Sequence, residues 1–212
     1  MKLRFKLLFL ICSVFAISLH AQNAKTILDK ASETYNKSGG ITASFSLDTK
    51  DVKNKTTYSL DGKAYMKGNK FKIDVPDGVT WFDGKTQWVY VKDTEEVNVS
   101  NPTGEELQSI SPAAIFGIYK SGFNLVYKGE KRLNSKLVYE IEMTPQKKNA
   151  DISKIIVQID KITNMFSKVT MVDKSGLENI LSIKSFEQGA LSDAIFAFNK
   201  KDYPKADVID LR

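Results

Sequence analysis

Hydrophobic and polar positions along the chain change period twice, and the changes mark out the elements. Between residues 23 and 38, Ala24, Ile27, Leu28, Ala31 and Tyr35 recur at helical spacing, which predicts an amphipathic helix. Ser38-Gly39-Gly40 ends it, since glycine tolerates the left-handed turn at a helix exit. From Ile41 the period becomes two: Ile41, Ala43, Phe45 and Leu47 alternate with Thr42, Ser44, Ser46 and Asp48. The same alternation runs through Tyr58 to Lys67, Phe71 to Val75, Val79 to Phe82 and Thr86 to Val91. Gly68-Asn69, Pro76-Asp77-Gly78 and Asp83-Gly84 supply turns between these strands.

The rhythm breaks between Thr103 and Tyr119. Ser111 followed by Pro112 reads as an N-cap with proline at the first helical position, and Ala113, Ala114, Ile115, Phe116, Ile118 and Tyr119 make this short helix apolar nearly all round. Strands resume at Phe123 to Lys131, Leu137 to Pro145, Lys154 to Asp160, Phe166 to Asp173 and Leu177 to Phe186. A last apolar cluster around Leu191, Phe196 and Phe198 precedes a charged tail. The strand spacing is that of an all-β sandwich or barrel, and helices this few cannot cover a parallel sheet. The expected class is therefore mainly β (α+β), with one curved antiparallel sheet of about 11 strands. The aromatic residues on alternating positions either pack a core or line a cavity larger than the sheet can fill; the all-apolar 112–119 segment favours the cavity.

The N-terminus changes what chemistry is available. Lys2, Arg4 and Lys6 precede an apolar run from Leu7 to Ile17, the layout of a secretory signal peptide that is too short to span a bilayer. Cleavage is expected after Ala21, with Ala16 as the fallback, leaving residues 22–212 as one domain. Lipidation at Cys12 is not expected, because Ile11 stands where a small residue is needed. Loss of the leader lowers the formal charge from +6 to +3 and removes the only cysteine and the only histidine, Cys12 and His20. A mature chain without either has no thiolate nucleophile, no histidine base, no Ser-His-Asp triad and no histidine zinc site. Catalysis would fall to a carboxylate pair, a lysine or tyrosine, or a carboxylate-bound Mg or Ca ion. Asp61, Asp74, Asp77, Asp83, Glu95 and Glu96 are the candidates, but all occupy turns or polar faces where solvated charge is the ordinary role. No enzyme, no cofactor and no metal is expected. The near-balanced charge of an exported chain also argues against nucleic acid as a partner.

An ordered set of motifs carries a family resemblance. Gly62-Lys63-Ala64-Tyr65-Met66-Lys67, then Phe71-Lys72-Ile73, then Phe82-Asp83-Gly84-Lys85-Thr86-Gln87-Trp88-Val89-Tyr90 resembles the LolA-type outer-membrane lipoprotein carriers. Ala43-Ser44-Phe45, Ile155 to Asp160, Asp173 to Gly176 and Phe196-Ala197-Phe198 fit the same pattern in order. The resemblance implies an unclosed periplasmic half-barrel whose concave apolar face, covered by helices, shelters the acyl chains of lipoproteins or a related lipid. It also implies a monomer that takes cargo from an inner-membrane ABC transporter of the Lol type and passes it to an outer-membrane acceptor. An envelope sensor or accessory interaction protein on the same half-barrel is the alternative.

The candidate cleft and lid residues are Phe45, Leu60, Met66, Phe71, Ile73, Trp81, Trp88, Tyr90, Ile115, Phe116, Ile118, Tyr139, Ile141 and Met143. Met66, Met143 and Met171 suit adaptable packing. One departure stands out: family members often carry Arg-Pro at the turn of the first hairpin, tied to lid opening and one-way transfer, whereas this chain has Lys67-Gly68-Asn69. Lysine lacks the forked guanidinium geometry.

Overall fold

The computed structural model describes residues 23–104, 106–107 and 111–212, so the expected leader with Cys12 and His20 lies outside the described residues. Helix α1 covers residues 23–37. Its Ala24, Leu28, Ala31 and Tyr35, spaced by four, three and four, form one buried stripe.

Twelve strands follow: β1 (Ile41–Asp51), β2 (Thr56–Lys67), β3 (Lys70–Val75), β4 (Gly78–Phe82), β5 (Gln87–Val91), β6 (Glu96–Ser100), β7 (Phe123–Leu133), β8 (Lys136–Pro145), β9 (Ile152–Asp160), β10 (Phe166–Asp173), β11 (Leu177–Gln188) and β12 (Asp207–Asp210). They make one open sheet in the order β12-β6-β5-β4-β3-β2-β1-β11-β10-β9-β8-β7. The order follows from chains of short hairpins on either side of β1, which sits mid-sheet between β2 and β11. Gly68, at φ 58°, closes the β2–β3 hairpin, as the two-residue turn requires.

The alternation read from the sequence recovers ten of these strands. It misses β6, a five-residue strand, and β12, which lies inside the charged tail. β12 pairs with β6 in parallel, so the sheet is antiparallel everywhere except at this edge. Main-chain pairing draws the tail in: Asp207 N–H donates to Glu95 O and Leu211 N–H to Val99 O, each at 2.8 Å. The segment expected as a helix at 112–119 forms two 3-10 turns, Pro112–Phe116 and Ile118–Lys120. Ser111 takes the N-cap position with an extended backbone but makes no side-chain cap bond, and Gly117 separates the two turns. No helix among the described residues is long and apolar enough to cross a membrane.

Two apolar clusters occupy opposite faces of the sheet. The larger joins α1, the 3-10 turns, β1–β4 and β7–β11 on the concave face. The smaller lies on the convex face of β4–β6, where Val97, Val99 and Ala206 are buried beneath Trp88, Tyr90, Phe198 and Tyr203. Backbone contact is closest at Gly78, where an added Cβ would stand 2.2 Å from the Tyr90 carbonyl oxygen. No rotamer change relieves a contact with main chain. Gly78→Ala is expected to lower unfolding free energy in urea by at least about 2 kcal/mol, the usual size of an overpacking cost.

Candidate functional site

The concave face encloses a cavity of about 480 Å³. Its floor is central: Ile41, Ala43, Phe45 and Leu47 of β1, Leu60, Ala64 and Met66 of β2, and Ile73 and Val75 of β3. Met165, Phe166, Val169 and Met171 line the β10 side, and Asn179, Leu181, Ile183 and Phe186 the β11 side. Local sequence explains why space is left here. Ala43 faces Ala64 directly across the β1–β2 pair, so two small side chains meet where two large ones would fill the gap. Phe45 faces Gly62, whose absent Cβ leaves room for the ring; a Cβ there would lie 2.5 Å from Phe45 Cζ.

The roof is the 3-10 segment, which contributes Ser111, Pro112, Ala114, Ile115, Phe116 and Ile118. Phe116 anchors it. Its ring stacks on Tyr35 of α1 at 4.4 Å and 10° and meets Phe166 of β10 at 4.8 Å. Such pairs add about 0.5–1.5 kcal/mol each beyond burial. Tyr119 O–H donates to Asp29 Oδ1 at 2.6 Å, tying the second 3-10 turn to α1. Tyr35 O–H donates to Gly68 O at 2.8 Å, tying α1 to the β2–β3 turn. The Asp29 carboxyl is held below its ordinary value by Lys25 and then by Tyr119. Burial, with Asp29 adding to it, pushes the Tyr119 phenol up.

Among the lining residues, all within the described part of the chain, none carries a charge, and only Ser111 and Asn179 bear polar side chains. Asn179 Oδ1 is occupied by Thr49 Oγ1, which donates to it at 2.8 Å. The described lining holds no acidic, basic, histidine or cysteine side chain beside the Ser111 hydroxyl. It can hold an apolar ligand through area alone.

Seven of the fourteen sequence-derived residues come together here: Phe45, Leu60, Met66, Ile73, Ile115, Phe116 and Ile118. The other seven lie elsewhere. Phe71 is fully buried against Phe82, with ring centroids 5.4 Å apart, and fills the core beside the cavity. Ile141 and Met143 are buried beneath β8 and β9 with Ile155, Val157 and Ile159. Tyr139 is half-buried near the β7 edge, its ring under Lys161 Nζ at 5.2 Å. Trp81, Trp88 and Tyr90 point to the convex face, because strand alternation puts Trp81 opposite to Phe82. There Trp81 meets Phe198 at 5.6 Å and Tyr203 at 5.4 Å, and Tyr90 meets Tyr203 at 4.7 Å. The β10–β11 wall is absent from the sequence-derived cleft set, although Met171 is singled out there as an adaptable residue. Its signal is the inward register shared by Val169 and Met171 with Leu181 and Asn179, their cross-strand partners.

Lys67, at the departure from the family pattern, is engaged outside the cavity. Its ammonium donates to Leu191 O and Asp193 Oδ1, each at 2.9 Å, and Lys70 reaches the other Asp193 oxygen at 2.9 Å. The two lysines hold the Asp193 carboxyl down to about 2.

An open curved sheet with a roofed, mostly apolar cavity on its concave face is the architecture of a binding protein. The model of the family described as outer membrane lipoprotein carrier protein LolA matches residues 12–175, and the chain belongs to that family. The fold is that of an uncharacterized conserved protein from Thermus thermophilus, whose crystal structure aligns with a TM-score of 0.61 at 16% identity over 89% of this chain and 99% of that one. A LolA superfamily protein from Nitrosomonas europaea aligns at 0.46 with 14% identity, over 82% of this chain and 97% of that one. A putative outer membrane lipoprotein-sorting protein domain from Vibrio parahaemolyticus gives 0.47 and 15%, over 87% and 100%. No curated protein matches the chain.

Two measurements follow from this geometry. Burial raises Tyr35 from its ordinary 10.0 to about 12, so between those values the folded chain keeps a proton that the unfolded chain has lost. The stability this supplies is complete below pH 10 and falls as pH rises toward 12; Tyr35→Phe is expected to flatten that fall in denaturant titrations. Both tryptophans of the chain, Trp81 and Trp88, lie away from the cavity. Tryptophan emission should therefore stay unchanged when the cavity is filled with an apolar ligand, and shift to the red in Phe198→Ala.

Proposed function

We propose that the chain is a periplasmic carrier which shelters the acyl chains of lipoproteins, or of a related lipid, and moves them from the inner to the outer membrane. The observation that carries the reading is the uncharged cavity of about 480 Å³ under a roof of 3-10 turns. Exposing a lipid chain to water costs about 0.8 kcal/mol per CH₂, so roughly 12 kcal/mol for a chain of about 16 carbons. A carrier has to offset most of this and still release its cargo, which area contact with adaptable residues such as Met66, Met165 and Met171 permits and a fixed polar clamp would hinder. In this reading residues 1–21 are a signal peptide, the remainder works as one domain without cofactor or catalysis, and an inner-membrane ABC transporter and an outer-membrane acceptor stand at the two ends of the route.

A second reading, an envelope sensor or accessory protein on the same half-barrel, draws on Lys67. Its ammonium is committed to Leu191 and Asp193, where the family often has an arginine tied to the lid.

The test is to purify the protein from its native envelope, extract it and identify bound species by mass spectrometry. Acylated lipoprotein or lipid is expected; a cleft that never yields an acylated species favours the sensor. Ile115 is a sounder lid probe than Phe116, whose truncation to Ala would cost about 3–5 kcal/mol of stability. Ile115→Asp places a charge against bound lipid and is expected to weaken binding of a fluorescent C16 fatty acid at least about ten-fold, with thermal stability nearly unchanged.

A further inference from the structure

One end of the sheet presents an apolar side chain to water and holds it there rigidly. Ile162, in the β9–β10 turn, is 91% exposed, and Leu137, at the start of the adjacent β8, is 47% exposed. Leu137 O accepts the Lys161 N–H at 3.1 Å, so the two apolar side chains belong to neighbouring rows of the sheet. The turn between them and β10 is tightly built. Asp160, only 4% exposed, accepts the N–H groups of Ile162 and Thr163 on one carboxylate oxygen at 2.8 and 3.0 Å. Its main chain accepts from Asn164 N–H and donates to Met165 O, each at 2.9 Å, and Lys136 pairs with its second carboxylate oxygen. A buried carboxylate is thus committed to fixing a turn whose central side chain touches almost nothing.

Around this tip the charge is basic. Lys131 and Arg132 lie at the end of β7 opposite Val138 and Leu137, with Lys136 and Lys161 beside them. Glu130 is paired with Lys161 and Asp160 with Lys136, while neither Lys131 nor Arg132 is in an ion pair among the described residues. The turn also leads straight into Met165 and Phe166 of the cavity wall.

We propose that this end of the sheet is a membrane-contact tip that seats on an anionic bilayer, with Ile162 and Leu137 entering the headgroup–acyl boundary and Lys131, Arg132 and Lys136 against lipid phosphates. Two side chains fall far short of the roughly 1,000 Å² that a stable protein interface needs, whereas a bilayer asks for no complementary pocket. Basic residues near an anionic surface and a protruding apolar residue are the two contributions that together hold a protein at a membrane. The ordering cost of the turn is met before contact, because its hydrogen bonds are already made. The proposal goes beyond the carrier reading and does not rest on it, since the contact needs no cargo.

The experiment is co-sedimentation of purified residues 22–212, which carry the whole described fold without the basic and apolar N-terminal segment, with vesicles of phosphatidylglycerol and phosphatidylcholine in equal parts, and with phosphatidylcholine alone, using Ile162→Ser and the Lys131→Ser/Arg132→Ser double variant beside the parent. Ile162 packs on so little that its serine variant keeps the parent melting temperature, which is measured alongside. Ile162→Ser is expected to cut partition onto the anionic vesicles about ten-fold, most of the apolar contribution of one aliphatic side chain. The double variant should lose the preference for anionic over neutral vesicles, and added salt should do the same to the parent. Equal partition of Ile162→Ser and the parent would overturn the proposal, as would a parent that sediments with neither vesicle.

Discussion

Ala43 facing Ala64 across the central strand pair is the contact on which the rest of the concave face depends. A curved sheet of twelve strands turns many side chains inward, and with Leu or Phe at both positions they would meet and make an ordinary core. Two methyl groups, with Gly62 one step further along β2, leave a hollow that Phe45, Met66 and Ile73 border but do not fill. An empty apolar hollow loses dispersion contacts on one side of every lining atom, so it weakens the fold unless something else occupies it. The stability removed at the centre has to come from the margins, and the fully buried aliphatic rows of β8 and β9 supply it.

The roof shows the same division between firm and yielding contacts. Phe116 and Tyr119 fasten it to α1 and β10 through ring stacking and one short hydrogen bond, while Ile115 and Ile118 face the cavity. Hydrogen bonds of 3-10 turns are poorer in geometry than those of an α-helix, and such runs stay short. The cover is therefore pinned at a few points and lightly built between them, a mechanical state that suits the proposed admission and release of a long chain. Tyr35 extends this linkage to Gly68, so α1 joins the roof to the β2–β3 hairpin.

Much of the fold was legible in the sequence because alternation is a local signal. Strands such as β1 and β10 state their inward faces residue by residue, and the turns at Gly68 and Gly84 state their ends. β12 was not legible: Asp207-Val208-Ile209-Asp210 has no alternation long enough to read, and its partner β6 lies far earlier in the chain. The site was half legible for a related reason. Alternation tells which residues share a face, but not which face is hollow, so Trp81, Trp88 and Tyr90 looked like cleft residues when they serve the convex side. Ile141 and Met143 share the concave face and are still core, because no small residues opposite them leave a gap. The family resemblance named the architecture and left this partition to the structure.

The parallel pairing of β12 with β6 has a consequence for how the chain folds. Hairpin pairing builds two blocks, β1–β6 and β7–β11, from local contacts, and the β1–β11 ladder that joins them closes a loop of about 125 residues. The β6–β12 ladder closes a second loop, of about 110 residues, and such non-local closures are entropically slow. Until then the β6 edge, with Val97 and Val99 uncovered, is a bare strand of the kind that pairs with the wrong chain. Residues 207–210 thus seal an edge that no local hairpin covers.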